Sequence, residues 1–131
     1  MAKINRFEDL KMWQESILVT KKIYLLFEEG KLKKEFSLRD QIFRACLSIS
    51  SNIAEGFEYN NDKEFVRYLK YAKGSCGEAR SQLYLIKELN LIEITQFEVL
   101  QKDLLGISGM IKNFINYLVK NQQVKKDLST L

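Results

Sequence analysis

Apolar side chains recur at intervals of three and four residues along almost the whole chain. A strand, whose side chains alternate with period two, cannot bury such a set on one face. Two stretches keep the alternation strictly: Phe65, Leu69, Ala72, Cys76, Ala79, Leu83 and Ile86, then Phe97, Leu100, Leu104, Ile107, Ile111, Phe114 and Leu118. Leu38, Ile42, Ala45, Ile49 and Ile53 form another set, and Leu10, Trp13, Ile17, Thr20, Tyr24 and Phe27 one more. Gly30 and Gly56 read as helix stops and Ser37 as an N-cap, while Asn61 with Glu64 and Thr95 with Glu98 have capping-box spacing. No proline interrupts any set. These signals predict an all-α, up-and-down antiparallel four-helix bundle, a single domain over 1–131. The expected helices span about 8–29, 37–57, 62–90 and 95–121, followed by a tail, 122–131, that frays. Strict 3-4 spacing favours shallow crossing angles.

Gly74, Gly77, Gly106 and Gly109 fall inside the expected third and fourth helices, where each costs about 1 kcal/mol relative to alanine. In an antiparallel hairpin turning near residue 91 or 92, Gly74 lies level with Gly109 and Gly77 with Gly106. Two readings stand: glycine tolerated on a solvated face, or a close approach by another helix or subunit. Both runs match the GxxG of a KH loop, but lie within heptad runs rather than beside strands. Cys46 and Cys76 are level across the second and third helices and read as two small buried hydrophobes.

Composition excludes much chemistry. The 131 residues include no histidine, which removes Ser-His-Asp and Cys-His nucleophile systems, di-iron Glu-x-x-His sites and the commonest zinc ligand. Two cysteines alone cannot complete a zinc tetrad. Glu55 and Glu58 stand one helical turn apart, as in helical magnesium-dependent pyrophosphohydrolases, but neither Glu64 nor Glu78 has the partner three residues on that would complete a facing pair. Ser48, Ser50 and Ser51 have no base to activate them. No Walker lysine follows a glycine loop, and no Rossmann fingerprint follows a strand. The expectation is a protein that is not an enzyme, with no catalytic residue, metal ligand or cofactor. No segment approaches a membrane span, and the polar start Met1–Arg6 lacks a signal-peptide core, so a cytoplasmic protein without membrane contact is expected.

Charge permits an anionic partner without requiring one: 21 basic against 17 acidic residues give a net charge of +4. Lys63, Arg67, Lys70 and Lys73 form a stripe on the outward side of the third helix, continued by Arg80 and Lys87. Tyr68 and Tyr71 flank it, positioned to stack on unpaired bases, and Lys31, Lys33 and Lys34 add charge in the first link. The alternative is an ordinary solvated face diluted by Glu64, Glu78 and Glu88. On the second helix, Leu47, Ser51 and Ala54, with Arg44, Ser48 and Glu55 beside them, form a small, partly apolar outward strip suited to a subunit contact. Asn52 flanks the core and is placed to bond across helices.

Phe7-Glu8-Asp9-Leu10 with Trp13-Gln14-Glu15, then Ser48-Ile49-Ser50-Ser51-Asn52-Ile53-Ala54-Glu55-Gly56, resemble bacterial four-helix bundle proteins of the 23S rRNA-intervening-sequence family. Lys63-Glu64-Phe65, Arg67-Tyr68-Leu69, Ala72-Lys73-Gly74-Ser75 and Glu78 fit that family's third helix, so the resemblance covers roughly residues 7–120. The chain departs from the pattern at Ser50, where proline is usual, and at Phe43 and Glu58-Tyr59, where further basic residues are common. The resemblance implies a subunit of a ring-shaped homopentamer without enzymatic activity. Its relatives include nucleic-acid-binding accessory variability proteins of diversity-generating retroelements. The combined expectation is a homo-oligomer that binds structured RNA or single-stranded nucleic acid through basic helix surfaces. The rival is a scaffold or accessory subunit presenting its surface to a protein partner.

Overall fold

The computed structural model describes residues 3–129. It contains α1 (Lys11–Leu26), α2 (Phe36–Glu58), α3 (Asp62–Glu88) and α4 (Ile94–Ser129), with short 3-10 turns over Phe7–Asp9 and Gly30–Lys34 and, among the described residues, no strand. Each helix packs against its sequence neighbours and α1 closes against α4, the pattern of an up-and-down four-helix bundle. Only Tyr59, Asn60 and Asn61 separate α2 from α3, so that pair must run antiparallel.

The expected seams of α2, α3 and α4 form the core. Ile42, Ile49, Ile53, Leu69, Leu83, Leu104 and Ile111 are fully enclosed, and only Leu38 and Phe114 of those three sets are half-buried. Helix α1 is different: Ile17 and Tyr24 are exposed, and the buried side carries Met12, Ser16, Val19 and Ile23 beside Leu10, Thr20 and Phe27. Two apolar stripes compete on this helix. The one containing a serine can be buried without cost to its hydroxyls, which have backbone acceptors: Ser16 donates to the Trp13 carbonyl at 2.7 Å and Thr20 to that of Ser16 at 2.6 Å.

Helix ends also depart from expectation. Helix α2 begins at Phe36 after Glu35 with no side-chain cap, so Ser37 lies inside it. Asn61 does cap α3, accepting from the Glu64 amide at 3.0 Å. At α4 the back-reaching side chain belongs to Gln96, which accepts from the Glu93 amide at 3.1 Å, two residues ahead of the expected Thr95–Glu98 pair. Gly30 adopts φ +69 within the first link instead of ending α1. Asn60 and Asn90, at φ 51 and 58, end α2 and α3. At Asn90 the Leu91 amide donates to the Ile86 carbonyl and the Asn90 amide to that of Lys87, a Schellman pair. Helix α4 continues to Ser129 where a fraying tail was expected, with Lys125 3.7 Å from Asp62; residues 130 and 131 of that tail lie outside the described residues.

Gly56 is buried inside α2 and does not stop it. A Cβ at this position would stand 2.6 Å from Tyr68 Cβ and 3.1 Å from Phe65 Cδ1, so the glycine lets α3 approach. At Gly74, Gly77, Gly106 and Gly109 an added Cβ would meet nothing within 4 Å, so no helix of this chain approaches closely there.

Candidate nucleic-acid interface

The outward side of α3 follows from its buried side. With Phe65, Leu69, Ala72 and Cys76 in the core, helical geometry turns Lys63, Arg67, Lys70 and Lys73 to solvent, and all four are exposed. Among the described residues Lys63, Lys70 and Lys73 form no ion pair. Arg67 is engaged: its guanidinium lies 2.7 Å from Glu64 and 3.4 Å from the Tyr71 hydroxyl. The Glu64 hydrogen bond, then that to Tyr71, holds its pKa above the usual arginine value. Gly74 and Gly77 continue the 4-3 spacing beyond Lys70, leaving bare backbone on the same exposed face.

Arg80 and Lys87 do not extend this open stripe, because the stripe's drift around α3 brings them against α4. Arg80 Nε donates to Gln101 Oε1 at 3.0 Å, and Gln101 Nε2 donates to the Arg80 carbonyl at 2.9 Å. This reciprocal clamp satisfies the polar atoms of a buried glutamine. Lys87 lies over the Phe97 ring, 4.8 Å from its centroid. The spacing within α3 could not show either contact, since both partners come from α4.

Aromatic rings border the stripe on its α2 side. Tyr59, from the α2–α3 link, stacks on Tyr68 with centroids 5.2 Å and planes 20° apart, and Tyr68 donates its hydroxyl to that of Tyr59 at 3.2 Å. Tyr68 meets Tyr71 edge to face at 5.9 Å. Arg67 lies 4.8 Å from the Tyr68 centroid and 5.8 Å from that of Tyr71. The hydrogen bond to Tyr59, with partial burial and the nearby Glu55 charge, pushes the Tyr68 phenol up to about 12. The sequence singled out Tyr68 and Tyr71 but not Tyr59, whose position depends on the left-handed turn at Asn60.

On α2, Arg44, Leu47, Ser51 and Glu55 face outward and Ala54 is half-buried. Ser48 does not belong to this strip. Its Oγ lies 2.9 Å from Ser75 Oγ across the α2–α3 contact and 2.9 Å from Asn52 Nδ2. The bond across helices is therefore made by Ser48, with Asn52 donating within its own helix. Ser50 is buried and donates to the Leu47 carbonyl at 3.2 Å. Ile17, Tyr24 and Phe43 line a shallow groove between α1 and α2 near the outward Leu47. Glu55 and Glu58 are exposed; among the described residues no group of three or more His, Cys, Asp or Glu side chains could hold a metal ion, and no helix is long and apolar enough to cross a membrane.

No curated protein matches the sequence. A solved structure similar to this one is that of a protein of unknown function from the S23 ribosomal protein family of Bacteroides thetaiotaomicron. It is 25% identical, with a TM-score of 0.72 over 79% of this chain and 97% of that one. The family profile described as 23S rRNA-intervening sequence protein matches residues 8–113, which include the Ser48–Gly56 segment, the α3 stripe and the tyrosines beside it. With most of the chain inside that match and the bundle shared with a solved S23 protein, this protein belongs to the 23S rRNA-intervening sequence protein family.

Proposed function

We propose that this chain is a non-enzymatic, self-associating cytoplasmic protein that holds structured RNA or other nucleic acid against the outward face of α3. The observation that carries the reading is the group formed by Lys63, Lys70 and Lys73, which share that face and are neutralised by no acid among the described residues. Phosphates attract such lysines irrespective of sequence, and Gly74 and Gly77 leave room for a polymer backbone beside them. Self-association is supported by contiguous apolar surface on α1 and α2: exposed Leu47 lies one helical turn from Phe43, which lines a groove with the exposed Ile17 and Tyr24.

The test is fluorescence anisotropy with a labelled RNA hairpin over increasing salt. The logarithm of the affinity falls linearly with that of the salt concentration, by about 0.7–0.9 for each phosphate contact. The combined variant Lys63→Glu, Lys70→Glu, Lys73→Glu loses the binding while keeping its helical circular dichroism. No association at the lowest salt, or an unchanged affinity in the variant, overturns the reading.

A further inference from the structure

The three tyrosines beside the stripe are fixed with respect to one another, yet two of them keep much of their surface in water. Tyr59 is stacked on one side only and is 52% exposed; Tyr71 meets Tyr68 by an edge and is 51% exposed. Arg67 is held above the group by Glu64, so the rings and the cation form a shelf already ordered in the free protein. The shelf and the lysines lie on opposite flanks of Arg67: Lys63 and Lys70 lie on one side, Tyr68 and Tyr59 on the other.

We infer that Tyr59 and Tyr71, held in place by Tyr68 between them, stack unpaired nucleobases, so that this face selects single-stranded nucleic acid over a duplex. The inference rests on the reading of α3 as a phosphate-binding face and adds what that face discriminates. A strand crossing α3 near its first turns sets its phosphates toward the lysines and its bases toward the rings. Glu55 and Glu58 favour that orientation, since they repel phosphates from the ring side, while the charge of Glu64 is offset by Arg67. In a duplex the bases are already stacked and paired, so the shelf contributes nothing. Stacking on tyrosine accepts any base, so the selection is for the unpaired state rather than for a sequence.

Three fluorescein-labelled probes of equal length distinguish the outcomes: a pyrimidine single strand, the same strand with abasic positions, and a duplex. The intact strand binds more tightly than the abasic one by roughly 5- to 150-fold for each base engaged. Tyr59→Ala combined with Tyr71→Ala lowers the intact strand to the abasic level and leaves both the duplex affinity and the salt slope unchanged. Tyr59→Phe retains the preference, because the ring does the stacking. Circular dichroism melting establishes that each variant is folded. Equal binding of intact and abasic strands, or a preference that survives the double alanine variant, overturns the inference while leaving phosphate binding in place. No binding of any probe at low salt removes phosphate binding, and the base shelf with it.

Discussion

Gly56 of α2 lies directly against Tyr68 of α3, so near that a methyl group on the glycine would stand 2.6 Å from the tyrosine Cβ. The obstacle is the root of the Tyr68 side chain, which cannot swing aside without moving α3. The contact connects core packing to the surface: α2 must pass this closely for Tyr59, at its end, to stack on Tyr68.

Gly56→Ala therefore destabilises the bundle. Alanine gains about 1 kcal/mol of helix propensity, but forcing extra volume into a packed contact costs about 1–3 kcal/mol. The expected net loss is on the order of 1 kcal/mol, read as a lower midpoint in urea denaturation. A midpoint at or above that of the parent protein contradicts the contact.

Gly74→Ala and Gly77→Ala have the opposite sign. Both positions are helical and open, so each substitution raises stability by about 1 kcal/mol in the isolated chain. A variant that melts higher while binding RNA less tightly assigns the glycines to the approach of the polymer. One that melts higher with unchanged binding assigns them to a solvated face.

Burial, the larger cause, pushes both the Cys46 and Cys76 thiols up to about 12 from an ordinary value of 9.0; the Cys76 charge adds to the rise at Cys46. A raised value means that the folded chain holds these protons more tightly than the unfolded one. Their contribution to stability is fully present below pH 9.0 and is lost as the pH rises from there through about 12. Tyr68 acts in the same direction between its ordinary 10.0 and about 12. Denaturation midpoints should decline over that alkaline range. At neutral pH, Ellman's reagent should label neither thiol until the chain unfolds; prompt labelling of either in the native state contradicts their burial.

Leu47→Glu places a charge in the middle of the outward α2 strip, where burial against another subunit would leave it unpaired. Static light scattering should find this variant monomeric and the parent larger. Equal masses remove the strip from the subunit contact.

All four helices were legible, and in three of them so was the buried face, because their apolar residues fall on one stripe with polar residues around it. The buried face of α1 was not, because Ile17 and Tyr24 compete with Val19 and Ile23, and the choice between them depends on the fit of the other helices. Gly56 shows the same limit: a glycine near the end of an apolar run reads as a stop until the helix that leans on it is in place. At the surface, Lys63, Lys70 and Lys73 were legible because exposure within one helix is a matter of spacing. Arg80, Lys87 and Ser48 were not, because Gln101, Phe97 and Ser75, which engage them, belong to neighbouring helices.

The brief link between α2 and α3 also bears on the order in which the chain gains structure. Closing a loop of Tyr59, Asn60 and Asn61 sacrifices far less chain entropy than bringing α1 to α4 across most of the sequence. The α2–α3 hairpin is therefore expected to act as the folding nucleus, with its amides the first to gain protection in pulsed hydrogen exchange; earlier protection in α1 or α4 would exclude that order. On this route the tyrosines and lysines of the proposed binding face are assembled before the outer helices dock.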